Sequence, residues 1–384
     1  MRILRLLFTI YGSILFLCCA AQFNVRLVVK SWRPAVTNNE INLVGSFNNW
    51  LPADAKMLLQ KDGDKRSISL QLLKGKYQYK FTRGSWHTVE VAANGSNIEN
   101  RIMEIFSDTT IEIEIKEWAD NFTSTKLAST ASKNVRVIDT AFFIPQLNRH
   151  RRIWIYLPET YASTKKKYPV LYMHDGQNVF DAATSFSGEW GVDETMDSLN
   201  NEKAEMIIVA IDNGGQHRMS EYAPYDFILK GRTDATQKIT AAGDAYVDFL
   251  VQTLMPFINR NYRARKDANN TFIAGSSMGG IISFYALLKY PKKFGGAGVF
   301  SPAFWINPEF KNLDPQKLKR VKGKIYFFAG TQEGEAMTTD MLQVFGQMQE
   351  HSKAKMQTVI RAEGKHNEAT WRKEFPLFIK YLIP

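Results

Sequence analysis

A short glycine-rich segment, Gly275-Ser276-Ser277-Met278-Gly279, constrains the fold of this chain more than any other feature. An apolar run typical of a buried strand precedes it (271–274), and a helical pattern follows it (281–288). A serine at a sharp strand-to-helix turn needs small residues two positions before and after it, because larger ones would clash with it. The glycine spacing centres on Ser277 and not on Ser276. We therefore predict that Ser277 is a nucleophile on a strained turn.

The C-terminal part of the chain, from about residue 150, alternates short apolar runs with longer helical patterns. The predicted helices cover residues 243–259, 278–288, 340–350 and 368–381. Hydrophobic strands that alternate with helices favour a mainly parallel sheet covered on both faces. Together with the serine turn, this pattern predicts an α/β-hydrolase fold over residues 135–384.

A nucleophilic serine needs a general base, and in α/β-hydrolases the chain order is serine, acid, histidine. Only His351 and His366 follow Ser277. His351 ends a predicted amphipathic helix, which makes it most simply a helix residue. His366 lies in a loop between the last predicted strand and the last helix, where catalytic residues of such sheets are found. We predict that His366 is the base.

The acid is expected in the loop that follows the predicted strand 324–329. Glu333 is the carboxylate nearest to the end of that strand, and we predict it as the partner of the histidine. Glu335 and Asp340 lie in the same region and remain alternatives.

Two backbone amides are expected to bind the oxyanion of a tetrahedral intermediate. The first is the amide of Met278, directly after the nucleophile. The second should follow the predicted strand 170–174, where Gly176 permits a tight turn and Gln177 supplies the candidate amide. A histidine and an aspartate precede that glycine, but no second cluster has metal-ligand spacing. We predict neither a metal nor another cofactor.

The first 21 residues have the pattern of a secretory signal: two arginines, an apolar stretch at 6–17 and alanines at 20–21. The apolar stretch is short for a membrane span, which needs ~20 residues. Cys18 and Cys19 are the only cysteines, so the mature chain would have neither a disulfide nor a thiol nucleophile. We predict a secreted or periplasmic protein without a membrane span. A lipid anchor on Cys19 is a less favoured alternative, since a cysteine and not a small residue precedes it.

The formal net charge is +11, a balance that could indicate a nucleic acid partner. The lysines, however, are interspersed with acidic residues, and the longest run of like charge is Lys165 to Lys167. No recognition helix or aromatic-basic RNA motif is present. We therefore predict a basic solvated surface and no nucleic acid partner.

Residues 22–118 consist of short alternating runs separated by turn residues such as Asp62-Gly63-Asp64. This pattern predicts an all-β, immunoglobulin-like sandwich of ~100 residues. Residues 119–134 are polar, rich in serine and threonine, and aperiodic, and we predict a linker there.

Five motifs of the C-terminal part occur in a familiar order: Tyr168 to Gln177, Gly275 to Gly280, Ser301 to Trp305, Gly330 to Glu333 and Gly364 to Trp371. Through them the chain resembles the esterase D or feruloyl-esterase-like branch of the α/β-hydrolases. The resemblance implies a triad of Ser277, Glu333 and His366, although the acid of that branch is often aspartate. We assign Trp305 to substrate binding. The branch includes feruloyl, acetyl-xylan and siderophore esterases, formylglutathione hydrolases and mycolyl transferases, so the resemblance implies a reaction class and not a substrate.

Four N-terminal segments carry a second likeness: Val44 to Trp50, Gly75 to Phe81, Gly84 to Trp86 and Ile98 to Arg101. They resemble the glycogen- and starch-binding modules related to the one in AMP-activated kinase. In sugar-binding members, the positions that match Trp50, Lys80 and Trp86 contact glucan, because indole faces stack on pyranose rings. The same motif occurs in structural copies whose first tryptophan packs locally, so both interpretations stay open.

These features together predict a secreted carboxylic-ester hydrolase that removes acetyl or feruloyl groups from plant polysaccharide. A siderophore esterase of the enterobactin type is the main alternative, since such family members also carry a β-sandwich before the hydrolase domain. A glycan-binding protein with a degenerate hydrolase domain is a third, but the presence of serine, acid and histidine together argues against it.

Overall fold

The computed structural model describes residues 22–383 except for 33–39, 49, 51, 53, 123–127, 186–187, 200–203 and 231–235. The predicted secretory signal lies outside the described residues. The chain divides into two compact units, one that ends at residue 123 and one that begins at residue 124. Within the described ranges, no helix has both the length and the apolar character needed to cross a bilayer.

The first unit is built from strands joined by turns and short 3₁₀ segments. Its strands are β1 (Gln22–Ser31), β2 (Asn42–Gly45), β3 (Gln60–Asp62), β4 (Lys65–Leu73), β5 (Gly75–Thr82), β6 (Glu90–Val91), β7 (Arg101–Ile105), β8 (Thr109–Glu114) and β9 (Glu117–Trp118). They form a four-stranded sheet β3-β4-β1-β8, a three-stranded sheet β2-β5-β7 and the pair β6-β9.

The core of this unit follows from the two-residue period of its strands. Tyr77, Tyr79 and Phe81 alternate along β5 and are buried, as every second residue of a one-sided strand should be. They pack in one hydrophobic cluster with residues of β1 and with Trp118, whose side chain is fully buried. One core therefore serves the two larger sheets.

The predicted linker at 119–134 includes two described stretches, 119–122 and 128–134. Residues 119–121 form a 3₁₀ turn, and the amide of Ala119 donates to the carbonyl of Val89 within the first unit. Residues 128–134 belong to the second unit and form hydrogen bonds within it. For example, Ser129 Oγ donates to Asp181 and the Ser132 amide donates to Asp193. Serines of the predicted linker thus supply hydrogen bonds to carboxylates of the second unit.

The second unit contains an eight-stranded sheet and a separate hairpin. Its strands are β10 (Val135–Ile144), β11 (Arg149–Tyr156), β12 (Val170–His174), β13 (Ile207–Ile211), β14 (Phe227–Lys230), β15 (Thr236–Ile239), β16 (Thr271–Ser276), β17 (Gly296–Phe300), β18 (Lys324–Gly330) and β19 (Lys355–Arg361). The large sheet has the order β10-β11-β13-β12-β16-β17-β18-β19, and the six strands from β13 to β19 in this order run parallel. The predicted α/β fold with a mainly parallel sheet is confirmed.

Helices cover this sheet: α1 (Val192–Leu199), α2 (Arg218–Glu221), α3 (Gly243–Phe249), α4 (Met255–Asn261), α5 (Met278–Lys289), α6 (Pro315–Leu318), α7 (Glu335–His351) and α8 (Glu368–Leu382). The single helix predicted at 243–259 is observed as α3, a π-helical segment (Leu250–Leu254) and α4. Pro256 lies in the first turn of α4, and a residue without an amide hydrogen fits best where the helical hydrogen-bond pattern restarts.

The central strands are buried along their whole length. Every residue of β12, β13, β16 and β17 is buried, as expected for parallel strands with helices on both faces. Because these strands run parallel, the segments that follow β12, β13, β16, β17, β18 and β19 all leave from one edge of the sheet. That edge is where functional side chains of such a fold collect.

A pair of phenylalanines in the first unit tests its core. Phe81 is fully buried, whereas Phe106 is 61% exposed. Phe81→Ala should lower the free energy of unfolding of this unit by about 3–5 kcal/mol, because it leaves a cavity in the core. Phe106→Ala should change it by less than ~0.5 kcal/mol. Urea titrations of the full chain followed by circular dichroism measure both, and equal effects would contradict this core.

Candidate active site

Ser277 occupies a strained turn between β16 and α5. Its backbone has φ 58° and ψ −121°, a conformation that non-glycine residues rarely adopt. A Cβ atom on Gly275 would lie 2.9 Å from the backbone of Gly279, so the two glycines allow the chain to fold back on itself. The Ser277 amide donates to the carbonyl of Phe300 at 2.9 Å and so fixes the turn to β17.

Glu333 ends a 3₁₀ turn directly after β18, and its side chain is fully buried. Its Oε1 accepts hydrogen bonds from the Gly330 amide at 2.6 Å and from Ser301 Oγ at 2.8 Å. Its Oε2 lies 2.6 Å from Nδ1 of His366. Each carboxylate oxygen therefore has a partner, which a buried carboxylate requires.

Asp340, one of the two alternative acids, has a partner of its own. The Asp340 carboxylate is 2.9 Å from the ammonium of Lys311. Glu335 is the first residue of α7. Glu333, the predicted acid, is hydrogen-bonded to His366.

His366 precedes α8, and the Asn367 side chain caps that helix by accepting from the Thr370 amide at 3.0 Å. The imidazole ring meets the Trp371 ring edge to face, with centroids 5.2 Å apart. The hydrogen bond from Nδ1 to Glu333 leaves Nε2 as the nitrogen available to a serine hydroxyl. The side chain is 38% exposed, so the ring is oriented from one side and open to a substrate on the other.

Ser301 connects these groups, a role that no spacing in the sequence predicts. Its hydroxyl donates to Glu333 and accepts from the Trp371 indole N–H at 2.9 Å. Its φ of 42° is left-handed, and its amide donates to the carbonyl of Phe328 at 2.7 Å. The signal that could have found it is its position, directly after β17 at the edge where Ser277 and Glu333 also lie.

The structure brings the predicted serine, acid and histidine to one edge of the sheet. Ser277 follows β16, Glu333 follows β18 and His366 lies between β19 and α8, in the adjacent order β16-β17-β18-β19. The Ala303 amide, two residues past Ser301, donates to the carbonyl of Ser277 at 3.4 Å. The same short segment thus contacts the serine turn and the buried carboxylate.

The two predicted oxyanion amides belong to neighbouring strand ends. Met278 is the first residue of α5, where backbone N–H groups have no partner within the helix. Gln177 lies in a 3₁₀ turn (Gly176–Asn178) after β12, the parallel neighbour of β16. A Cβ atom on Gly279 would lie 3.4 Å from the Cβ of His174, so the end of β12 packs closely against the first turn of α5.

The histidine and aspartate at the end of β12 have structural partners. Nδ1 of His174 lies 2.9 Å from the Tyr246 hydroxyl, and burial lowers the pKa of His174 to about 3, so the ring is neutral. Asp175 is paired with Arg218. Across the described ranges, no three histidine, cysteine, aspartate or glutamate side chains are grouped so as to hold a metal ion.

Trp305, the predicted substrate-binding residue, lies in a 3₁₀ turn (Phe304–Ile306) and is 43% exposed. It is two residues past Ala303, whose amide contacts the carbonyl of Ser277. An exposed indole two residues from an amide that contacts the serine turn offers an apolar, polarisable surface to a substrate.

In the first unit, the structure brings Trp50 and Trp86 together. Their ring centroids are 6.2 Å apart with planes inclined by 36°, and both are partly exposed. Trp50 has a positive φ of 59°. Lys80 is partly buried on β5, and burial lowers the pKa of its ammonium, although Glu90 and Glu99 act in the opposite direction.

The family model described as "Putative esterase" matches residues 144–381, more than half of the chain. The chain belongs to this esterase family. The edge that carries Ser277, Glu333 and His366 lies within the matched residues, and the protein is a carboxylic-ester hydrolase.

Two curated relatives match part of this chain, and one of them is named for an esterase activity. An endo-1,4-beta-xylanase/feruloyl esterase of Xylanibacter ruminicola is 25% identical over 228 residues, which cover 57% of this chain and 27% of that protein. An alpha-amylase of Niallia circulans is 40% identical over 104 residues, 26% of this chain and 8% of that protein. This esterase thus spans about a quarter or less of the length of both relatives.

A solved structure shares the fold over nearly the whole chain. The enterobactin esterase of Shigella flexneri, crystallised in the presence of enterobactin, has a TM-score of 0.52 and 16% identity. The similarity covers 90% of this chain and 88% of that one. At this identity the similarity is one of fold.

The two adjacent serines give a matched test of the nucleophile. Ser277→Ala should lower kcat on a p-nitrophenyl ester by up to ~10⁶-fold, as for the serine of a triad, and the protein should stay folded. Ser276→Ala should keep most of the activity, because Ser276 ends β16 and does not occupy the strained turn. If Ser277→Ala kept more than a tenth of the wild-type rate, Ser277 would not be the nucleophile.

Glu333→Gln tests the acid. The amide cannot stabilise an imidazolium as a carboxylate does, so kcat should fall ~10²-fold or more. Asp340→Asn is the control, since Asp340 is paired with Lys311 and not with His366. A loss of rate in the Asp340 variant, with none in the Glu333 variant, would reassign the acid.

Proposed function

We propose that this esterase is a secreted enzyme that removes acetyl or feruloyl groups from plant polysaccharide through a triad of Ser277, His366 and Glu333. The observation that carries the triad is the hydrogen bond of 2.6 Å between His366 Nδ1 and the buried Glu333, at the sheet edge that also holds the strained Ser277. A buried acceptor on Nδ1 selects the ring tautomer whose Nε2 can accept a proton.

The proposed reaction has two halves. Ser277 Oγ attacks the ester carbonyl while Nε2 of His366 removes its proton, and the carbonyl oxygen becomes an oxyanion held by the amides of Met278 and Gln177. As the carbon–oxygen bond to the alcohol breaks, His366 returns the proton to the leaving oxygen. Water then attacks the acyl-enzyme in the same way, which releases the acid and restores Ser277. Glu333 stays ionised and stabilises the imidazolium in both halves.

The polysaccharide substrate is supported by three observations. The relative from Xylanibacter ruminicola is named for xylanase and feruloyl esterase activities, and the second relative is an alpha-amylase. Trp305 exposes an indole two residues past Ala303, whose amide contacts the serine turn, and the aromatic ring of a feruloyl group could stack there. In the first unit, which we propose to be an immunoglobulin-like carbohydrate-binding module, Trp50 and Trp86 form an aromatic pair.

Secretion is proposed from the N-terminal sequence, in which an apolar stretch lies between two arginines and a pair of alanines. Removal of this segment would take both cysteines with it. Mass spectrometry of the mature protein from its native host would show cleavage after Ala21, or a diacylglyceryl group if Cys19 were lipidated.

The substrate class is tested by offering the purified protein acetylated xylan, feruloylated arabinoxylan and ferric enterobactin, with Ser277→Ala as the inactive control. We expect acetate or ferulate to be released from xylan by the wild type alone. Hydrolysis of ferric enterobactin alone would instead establish a siderophore esterase. Retention on xylan without hydrolysis of any ester would indicate a glycan-binding protein with a degenerate site.

The aromatic pair of the first unit gives a separate prediction. In a Ser277→Ala background, the full chain should be retarded by soluble xylan or glucan in affinity electrophoresis, with a weak Kd on the order of 0.1–1 mM, since a shallow polar contact leaves little net binding energy. Trp86→Ala should abolish the retardation. Phe106→Ala, which removes another exposed aromatic ring of this unit, should not. Unretarded migration of the parent through every glycan would leave the unit without a sugar-binding role.

A further inference from the structure

Asp175 begins the turn that carries the proposed oxyanion amide of Gln177, and its backbone is strained. Its φ of 55° and ψ of 48° are left-handed, a region that favours glycine. The residue is buried, with 8% of its surface exposed. Since an aspartate in this conformation costs free energy, its surroundings must hold it there.

Two side chains from the segment after β13 hold this carboxylate. Arg218 donates from Nε to Oδ1 at 2.6 Å and from Nη2 to Oδ2 at 2.8 Å. Asn213 donates from Nδ2 to Oδ1 at 2.7 Å. The Asn213 amide also donates to Oε1 of Gln177 at 3.2 Å. The segment after β13 therefore forms hydrogen bonds to both Asp175 and Gln177. The geometry of a two-pronged guanidinium pair restricts the carboxylate more than a single bond could.

The carboxylate also lies close to the N-terminus of α5. A Cβ atom on Gly279 would be 3.5 Å from Oδ2 of Asp175. Gly279 follows Met278, the other proposed oxyanion donor. Burial raises the pKa of the Asp175 carboxyl, but the charge and hydrogen bonds of Arg218 hold it below its usual value, so the group is ionised. A negative charge thus lies beside the first turn of α5, which carries the proposed oxyanion amide of Met278.

We propose that Arg218 is a positioning residue of the esterase site, which holds Asp175 and the Gln177 turn in place and neutralises a carboxylate that would oppose the oxyanion. Like charges a few ångströms apart repel strongly where water is excluded, so an uncompensated Asp175 would raise the energy of the transition state more than that of the bound ester. Arg218 contacts no reacting atom in this scheme. The inference rests on the proposed nucleophile and oxyanion amides.

A double-mutant cycle separates charge from packing. On p-nitrophenyl acetate, Arg218→Met should lower kcat by ~10²-fold, the size of effect known for a lost oxyanion donor, with KM changed by less than ~3-fold. Its affinity for a trifluoromethyl ketone, which forms an oxyanion with the serine, should fall by a similar factor. Asp175→Asn removes the charge and retains the shape, so the double variant should recover kcat to within ~10-fold of the wild type.

Arg101→Met is the matched control. It breaks a bidentate pair with the buried Glu90 in the first unit, and the exposed fractions of the two arginine side chains are 28% and 27%. Its kcat should stay within ~2-fold of the wild type. If Arg218→Met did not fold, Asp175→Asn would be compared with the double variant, and the added loss of Arg218 should then cost less than ~3-fold.

Three results would overturn this role for Arg218. The first is an equal loss of kcat from Arg218→Met in the wild-type and Asp175→Asn backgrounds, which would mean packing alone. The second is a change confined to KM, which would mean direct contact with the substrate. The third is an unchanged affinity for the ketone. Absence of any Ser277-dependent activity in the wild type would refute the proposed triad. The assay of the wild-type enzyme alone distinguishes that result from a failure of the role proposed for Arg218.

Discussion

The site depends on a close approach of backbones at the end of β16. Gly275 and Gly279 touch without side chains between them, and the amide of Ser277 is bonded to the carbonyl of Phe300 on the neighbouring strand. A Cβ atom on Gly280 would lie 2.9 Å from that same carbonyl. Left-handed backbone at a serine costs on the order of 1–3 kcal/mol, and it persists because the strand and helix on either side are held by the sheet. The strained conformation of Ser277 is therefore maintained by the neighbouring strand and helix and not by the turn alone.

Two buried carboxylates at that edge are stabilised in different ways. Glu333 receives neutral donors from Gly330 and Ser301, and its remaining oxygen faces His366. Its negative charge can thus stabilise a positive charge on the His366 imidazole ring. Asp175 is already matched by the cation of Arg218. The carboxylate that orients a catalytic histidine must be stabilised by hydrogen bonds and yet keep its negative charge. A carboxylate beside an oxyanion must instead be paired with a positive charge.

The sequence was most informative where the chemistry depends on local spacing. The serine turn, the parallel sheet and the start of α8 could be predicted because glycine spacing and apolar runs encode them directly. The start of α7 was placed at 340, five residues late, because its first turn carries little apolar periodicity to mark it. The π-helical segment inside 243–259 was also missed, since an extra residue in one helical turn leaves no clear pattern in composition.

Residues whose roles depend on distant partners could not be read in this way. Ser301 links Glu333 to Trp371, and Arg218 meets a residue 43 positions earlier in the chain. Neither pairing follows from the residue spacing within a single helix or strand. Within the predicted linker, Ser129 and Ser132 likewise donate to carboxylates that are distant in the chain, those of Asp181 and Asp193.

The burial of the site suggests how one fold serves many esters. The groups that orient His366 are buried and hydrogen-bonded to one another, so a change in any of them disturbs the others. Trp305, by contrast, is largely exposed and lies on a short turn outside that network. Exposed turns tolerate substitution far better than a buried network does. Differences in substrate among members of such a family should therefore lie at exposed positions such as that of Trp305, while the buried groups that orient His366 stay the same.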